Sequence, residues 1–199
     1  MKIFILRHED RTQDCTFFSP LTELGLNNAK KLIEVLKKNN INMIFSSPFI
    51  RTLQTVTPFL KETNQLVNLE YGLSEIHHQS IIPPKSVGLL LPDYLAKYYN
   101  YNPEYKSFIK SNEIKYPENK KDCQNRMRKV IKNIIEKYYK TELNILIVTH
   151  QSLCETVIKI INKFSTEYKH KLENEIVVGY QKGKVCLIFD NDWTYKKLN

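Results

Sequence analysis

Three short apolar segments, separated by long amphipathic stretches, constrain the fold of this chain more than any other feature. They span residues 2–6, 41–45 and 143–148, and each is rich in isoleucine, leucine, valine or phenylalanine. Short apolar runs of this kind are typical of strands buried on both faces of a parallel sheet. Because amphipathic helical stretches alternate with them, the pattern predicts an α/β protein with three α/β/α layers and a mostly parallel central sheet.

Local signals predict where the helices begin and end. Thr22 is a suitable N-cap for a helix that ends near residues 39–40. Ser47 is predicted to cap a second helix, with Pro48 in its first position, where a missing N–H costs nothing. Apolar residues at helical spacing predict two later helices, over residues 121–138 and 151–162.

Further short apolar segments predict the remaining strands. Residues 66–69 form one candidate, and residues 176–180 and 185–189 form two others near the end of the chain. The polar residues 181–184 between the last two, with a central glycine, predict a hairpin turn. The late strands would therefore extend the sheet beyond its parallel part.

The length of 199 residues predicts a single domain over residues 1–199. Residues 70–120 break the regular alternation, because prolines interrupt any long helix there. These prolines are Pro83, Pro84, Pro92, Pro103 and Pro117. We expect this segment to be an insertion of short helices and loops over the edge of the sheet, forming a lid that shapes the substrate site.

Charge and cysteine content narrow the classes of partner. The formal net charge is +9, but the lysines are spread along the chain and do not favour nucleic-acid binding; a positive field would instead steer small anionic substrates. The four cysteines show no paired metal-ligand spacing and predict reduced thiols in a cytoplasmic protein. No apolar run approaches the ~18 residues of a transmembrane helix, so the sequence predicts no membrane span.

Polar residues that suit a phosphate follow three of the predicted strands. The three pairs are Arg7 and His8, Ser46 and Ser47, and Thr149 and His150. In a parallel sheet, the carboxyl ends of the strands share one edge, which is where ligands bind in open α/β folds. Arg51 falls just inside the second helix, and its side chain is expected to reach back over the positive end of that helix. The sequence therefore predicts an anion site at this edge.

These motifs, taken together, resemble the histidine phosphatase superfamily, which is also called phosphoglycerate mutase-like. The matching segments are Leu6-Arg7-His8, Pro20-Leu21-Thr22 with Gly25, Ser46-Ser47-Pro48 with Arg51 and Gln54-Thr55, and Val148-Thr149-His150. The likeness covers most of residues 1–160 in order and spacing. Residues 70–76, together with Arg11, look closer to the T-cell-receptor-suppressor type of phosphatase than to the glycolytic mutases.

The resemblance implies a histidine acid-type phosphatase, that is, a phosphoric monoester hydrolase that needs neither a metal nor a cofactor. It implies that a neutral His8 attacks phosphorus and forms a phosphohistidine. Arg7, Arg51 and His150 would hold the non-bridging oxygens, and Glu75 matches the position of the proton donor to the leaving oxygen. The substrate would be a phosphorylated small molecule or a phosphoprotein; its identity and the oligomeric state are not predicted.

Two departures from the family pattern leave alternatives open. Glu9 stands after the Arg-His pair and Gln151 after His150, where the family usually has glycine. If the Glu9 carboxylate points into the site it would repel substrate, leaving a phosphate-binding protein without turnover; if it points outward the site survives. A phosphoglycerate mutase-type phosphotransferase is the other alternative, although the arginine pair and tryptophan loop of the glycolytic mutases are missing.

The other charged residues and histidines are interpreted as surface groups. His77 and His78 are predicted to be solvated, because two ligands do not make a zinc site. His170 lies among lysines and is predicted to be exposed. Asp10, Arg11 and Asp14 are either residues of the site's mouth or ordinary loop charges.

Overall fold

The computed structural model of the protein describes residues 1–14, 16–80, 91, 93–167, 185–189 and 196–197. The strands are β1 (Lys2–Arg7), β2 (Met43–Ser46), β3 (Val67–Leu69), β4 (Asn144–Thr149), β5 (Val185–Phe189) and β6 (Lys196–Lys197). The helices are α1 (Glu23–Lys38), α2 (Ile50–Thr63), the short α3 (Asp93–Ala96), α4 (Lys120–Tyr138) and α5 (Gln151–Glu167).

The strands form one sheet in the order β3-β2-β4-β1-β5-β6. The first four are parallel, whereas β5 runs antiparallel to β1 and β6 antiparallel to β5. In the parallel part, Ser46 and Leu6 both pair with Val148, and Arg7 pairs with Thr149. The carboxyl ends of β1, β2 and β4 therefore lie side by side, as predicted from the sequence.

Helices cover both faces of this sheet because the side chains of each strand alternate in direction. Ile3 and Ile5 of β1 belong to the apolar cluster that α4 and α5 complete, whereas Phe4 and Leu6 belong to the cluster with α1 and α2. The predicted three-layer α/β/α fold is confirmed.

The first helix begins as predicted and the second does not. Thr22 caps α1, with its Oγ1 accepting from the Gly25 amide at 3.1 Å. The N-cap of α2 is Phe49, however, and its extended backbone (ψ 137°) places Pro48 outside the helix. The prediction that Ser47 is the N-cap was wrong because the chain stays extended through Phe49 and the helix begins only at Ile50. The Ser47 hydroxyl lies 2.9 Å from Nε2 of His150 and accepts from the Phe49 amide at 3.4 Å.

The later elements agree with the sequence only in part. Helix α5 continues to Glu167, five residues beyond its predicted end, and the pair of residues that forms β6 was not predicted. Residues 185–189 form a strand as predicted, but the proposed strand at 176–180, the turn at 181–184 and His170 lie outside the described residues.

The described part of residues 70–120 contains only short helical turns and irregular backbone. Besides α3, these turns are Tyr71–Leu73, Lys97–Tyr99 and Ser111–Glu113. The segment is tied to the sheet through the fully buried carboxylate of Glu70, which accepts five hydrogen bonds. The donors are the amides of Gly72, Phe108 and Ile109 and the hydroxyls of Tyr105 and Ser107. These bonds offset the cost of burying the carboxylate and fix where the chain leaves β3.

Candidate active site

The site lies where β1, β2 and β4 end. The main chain there is joined across strands, since the His8 amide donates to the Thr149 carbonyl at 3.1 Å and the Ser47 amide donates to the Val148 carbonyl at 3.0 Å. These bonds continue the sheet one residue past each strand. The side chains that follow the strands are consequently held on rigid backbone.

His8 is buried, and its environment keeps the imidazole neutral. Its Nδ1 lies 2.7 Å from the Glu9 carbonyl oxygen, which only accepts, so Nδ1 carries the proton and Nε2 is left with its lone pair. Burial lowers the pKa of His8 to about 3, against the raising effect of the Glu9 bond and with the help of the charges of Arg51 and Arg7. The residue therefore has the ionisation state of a nucleophile.

His150 is completely buried next to His8, with ring centroids 5.4 Å apart. Its Nε2 lies 2.9 Å from the Ser47 hydroxyl, and its Nδ1 lies 3.7 Å from a carboxylate oxygen of Glu75. Burial first, and then the charge of Arg51, lower the pKa of His150 well below the usual value. A phosphate dianion placed between the two histidines would counter both effects and favour the protonated form.

Arg51 is buried and reaches back past the start of α2, as predicted. Its Nη1 donates to the Thr16 carbonyl at 2.8 Å, and its Cζ lies 4.6 Å from the centroid of the Phe49 ring. The same Phe49 ring packs on His150 at 4.8 Å between centroids. Phe49 thus packs against both Arg51 and His150.

Arg7 opens onto a cavity of about 580 Å³. The other residues that line it are Asp10, Arg11, Thr12, Gln13 and Thr22. Asp10 and Arg11 therefore line this cavity together with Arg7, whereas Asp14, which accepts from the Thr12 hydroxyl, is not among the lining residues. Arg7 is the only one of the five predicted site residues that lines it, so the cavity lies beside the histidines and not between them.

Glu75 lies beside His150, in the loop after β3. Its side chain is 17% exposed, and its Oε1 accepts from the Ser152 hydroxyl at 3.0 Å and from the Ile76 amide at 3.1 Å. Its other oxygen faces His150. All five residues predicted for the site (Arg7, His8, Arg51, Glu75 and His150) thus lie around the ends of β1, β2 and β4, and none is placed elsewhere.

Glu9 is buried, so its carboxylate does not extend into solvent. Its amide donates to the Thr55 hydroxyl at 3.0 Å, which anchors the main chain beside His8 to α2. A glycine at position 9 would make the same hydrogen bond through its amide. The presence of glutamate in place of glycine therefore affects the chemistry only through the Glu9 side chain.

Several contacts of the site were not predicted from the sequence. Ser47 was placed at the phosphate-binding edge and as a helix cap, but its contact with His150 was not predicted. Ser152 was not considered, and Arg126 was overlooked although it lies three residues after Cys123 and four before Val130 on the apolar stripe of α4. That placement is the signal that could have found it, because a charged residue on a buried stripe needs a partner. Arg126 binds the backbone of the Glu75 loop.

His77 was predicted to be solvated, and this was wrong. The residue is only 6% exposed. Its amide donates to the Glu118 carboxylate and its carbonyl accepts from the Glu118 amide, and these two hydrogen bonds hold the residue against buried Glu118. His78 is exposed, as predicted, and its Nδ1 lies 2.9 Å from the Ser80 hydroxyl. Among the described residues, no three histidine, cysteine, aspartate or glutamate side chains are grouped as metal ligands would be.

The buried histidines make the stability of the protein depend on pH. Burial lowers the pKa of His8 to about 3 and of His77 to about 4, and it also lowers the pKa of His150 well below its usual value. Below the ordinary pKa of ~6.5 the unfolded chain binds more protons than the folded one, so the free energy of unfolding falls as pH decreases. His8 and His77 should each contribute about 2 kcal/mol of this loss between pH 7 and pH 5.

The variant His77→Gln tests this effect outside the candidate site. In denaturant titrations at several pH values, its free energy of unfolding should fall less steeply with decreasing pH. The difference in slope should correspond to about one proton fewer taken up on unfolding. His78→Gln, at an exposed position, should leave the slope unchanged. Equal slopes for His77→Gln and the unmodified protein would contradict the explanation.

Comparisons with known proteins now assign the family. The family model for the histidine phosphatase superfamily (branch 1) matches residues 7–176. The chain belongs to this superfamily. A search of curated protein sequences finds no match.

Solved structures show the same fold. The ecdysone phosphate phosphatase of Bombix mori, solved with tungstate, is 16% identical with a TM-score of 0.77 and covers 100% of this chain and 92% of its own. A mycobacterial glucosyl-3-phosphoglycerate phosphatase is 15% identical, with a TM-score of 0.61 and coverage of 98% and 96%. A putative α-ribazole-5′-P phosphatase of Escherichia coli is 17% identical, with a TM-score of 0.60 and coverage of 100% and 96%.

Proposed function

We propose that this protein hydrolyses phosphate monoesters through a phosphohistidine on His8. The observation that carries the proposal is the state of His8, whose Nδ1 proton is committed to the Glu9 carbonyl so that Nε2 is available to attack. Membership of the superfamily and three structural neighbours that are named phosphatases support the reaction class.

The proposed reaction has two steps. In the first, His8 Nε2 forms a bond to phosphorus, the bond from phosphorus to the ester oxygen breaks, and that oxygen takes a proton from Glu75. In the second, the Glu75 carboxylate takes a proton from water, the resulting hydroxide attacks phosphorus, and the bond to His8 breaks. Arg7, Arg51 and protonated His150 stabilise the charge on the non-bridging oxygens in both steps.

The arginines and His150 supply the positive charge that phosphoryl transfer requires, so the proposal includes no metal ion and no cofactor.

The histidine acid phosphatase type is part of the proposal. It is supported by the lowered pKa of His8, about 3 as a result of burial, which keeps the nucleophile neutral in mildly acidic solution. A location in the cytoplasm is also part of it, supported by Cys123 and Cys154, which are buried and form no disulfide. None of the described helices is long and apolar enough to cross a bilayer.

The substrate class that we propose is a phosphorylated small molecule or a phosphoprotein side chain. The cavity of about 580 Å³ beside Arg7 supports it, because it offers space for a leaving group rather than for the phosphate alone. Arg11 in the wall of that cavity supports the closer likeness to phosphatases of the T-cell-receptor-suppressor type.

The test is hydrolysis of an aryl phosphate and of a panel of alkyl, sugar and peptide phosphates by the purified protein, with and without a chelator. We expect release of inorganic phosphate that the chelator does not reduce. Transfer to a second alcohol in the presence of a bisphosphate, exceeding hydrolysis, would instead indicate the mutase-type alternative. Binding of phosphate without turnover, with activity gained in Glu9→Gly, would indicate that buried Glu9 blocks the reaction.

A further inference from the structure

The loop that carries Glu75 is held in place by the guanidinium group of Arg126. Arg126 Nη1 donates to the carbonyls of Gly72 at 2.7 Å and Ser74 at 3.0 Å, and its Nη2 approaches the Glu75 carbonyl at 3.5 Å. Three contacts of one side chain to main-chain carbonyls within four residues leave this loop little freedom, although Ser74 and Glu75 lie outside any helix or strand.

Arg126 is itself fixed by Glu118 in a two-point contact. Its Nε and Nη2 donate to the two carboxylate oxygens at 2.8 Å and 2.6 Å. The pair is almost entirely buried, with side-chain exposures of 6% and 1%. A planar guanidinium in such a fork has one orientation, which lysine cannot reproduce.

Glu118 also holds the loop on the far side of Glu75. Its Oε2 accepts from the His77 amide at 3.1 Å, and its own amide donates to the His77 carbonyl at 2.8 Å. The buried pair of Arg126 and Glu118 therefore makes hydrogen bonds to the main chain both before and after Glu75. Gly72 allows this close approach, because a Cβ at that position would lie 2.2 Å from a methyl carbon of Val130 on α4.

Stability alone does not account for this arrangement. Burying two charges costs several kcal/mol of desolvation, and apolar residues of similar volume often replace such a pair without loss of stability. Apolar residues cannot supply the hydrogen-bond donors and acceptors that hold irregular main chain in one conformation. The loop held in this way carries Glu75, whose Oε1 accepts from Ser152 and whose Oε2 faces His150.

We infer that Arg126, oriented by Glu118, is a positioning residue that places the Glu75 carboxyl for proton transfer to the leaving oxygen. The inference rests on the proposed function. Arg126 makes no hydrogen bond to His8 or His150 and holds Glu75 through the main chain of the loop, although its charge also contributes to the low pKa of His150. Displacing a proton donor by about 1 Å can cost a factor of ~10² in rate.

The dependence of the rate on the leaving group separates positioning from general structural damage. A phenol with an acidic hydroxyl leaves as its anion and needs little help from Glu75, whereas an alcohol leaves only with the proton. A misplaced Glu75 thus slows the cleavage of alkyl phosphates selectively. Partial unfolding would slow all substrates by the same factor.

The experiment compares kcat/KM for a series of aryl and alkyl phosphates in Arg126→Lys, Glu118→Gln and the unmodified protein. We expect Arg126→Lys to lower kcat/KM for alkyl phosphates about 100-fold, while the most acidic aryl phosphates lose less than about fivefold. Glu75→Gln is the reference and should show the same selective loss. Arg128→Lys, at an exposed position of the same helix, is the matched control and should match the unmodified protein.

Glu118→Gln keeps the shape of the side chain and carries the test if Arg126→Lys does not fold. In the double variant Glu75→Gln/Arg126→Lys, the second substitution should add no further dependence on the leaving group. An equal loss on all substrates, or no loss, in both folded variants would overturn the inference. Absence of hydrolysis by the unmodified protein would instead refute the proposed function on which it rests.

Discussion

Replacing His8 with alanine is expected to lower kcat/KM for an aryl phosphate by a factor on the order of 10⁴ or more. The imidazole is the proposed covalent acceptor of the phosphoryl group, because burial keeps it neutral and its Nδ1 contact with the Glu9 carbonyl leaves Nε2 with a lone pair. Initial rates over a range of substrate concentrations, together with circular dichroism of the variant, provide the measurement.

The fold should tolerate this change better than the chemistry does. The main-chain amide of residue 8 still donates its hydrogen bond to the Thr149 carbonyl when the side chain is removed, so the strand end stays in place. The matched control is His78→Ala, at an exposed position, which should retain full activity. Activity of folded His8→Ala close to that of the unmodified protein would refute the covalent mechanism.

Replacing Arg51 with methionine is expected to lower kcat/KM by about 10²- to 10³-fold. Among the described residues, Arg51 has the largest of the fully buried side chains, and its charge is fixed by the Thr16 carbonyl and the Phe49 ring. A preorganised charge of this kind stabilises the phosphoryl oxygens at no cost of reorientation during the reaction. Methionine fills a similar space and removes only the charge and the donors.

The same substitution should also raise the pKa values of both site histidines. Burial is the main cause of the low pKa of His150, and the charge of Arg51 is the next; Arg51 also lowers the pKa of His8. An NMR titration of the two imidazoles in Arg51→Met measures this shift. Arg128→Met is the control for loss of one arginine, and unchanged rates and pKa values in Arg51→Met would contradict the assigned role.

Much of the fold was predictable because its signals are local. The strands β1, β2 and β4 are short apolar runs, and the stripe of α4 repeats at helical spacing. Parallel pairing then brings the strand ends together without further information, which is why the predicted edge is correct. The family model confirms the predicted superfamily. The roles of Arg7, His8, Arg51, Glu75 and His150 and the single-domain organisation stay predictions.

The contacts that were missed join residues far apart in sequence. Ser47 reaches His150 across 103 positions, and Arg126 reaches the Gly72 carbonyl across 54. The partner of Ser47 has no local signal, because it lies on another strand end. The place of Arg126 on the apolar stripe of α4 indicates that it needs a buried partner, but it does not indicate which residue that partner is.

Trapping the phosphorylated protein tests the central claim most directly. The protein is mixed rapidly with substrate, quenched in alkali to preserve phosphohistidine, and digested for mass spectrometry. The account predicts up to one phosphoryl group per chain, on the peptide that contains His8, forming and decaying fast enough to support turnover. Turnover without a phosphorylated intermediate, or a phosphoryl group on a residue other than His8, would contradict it.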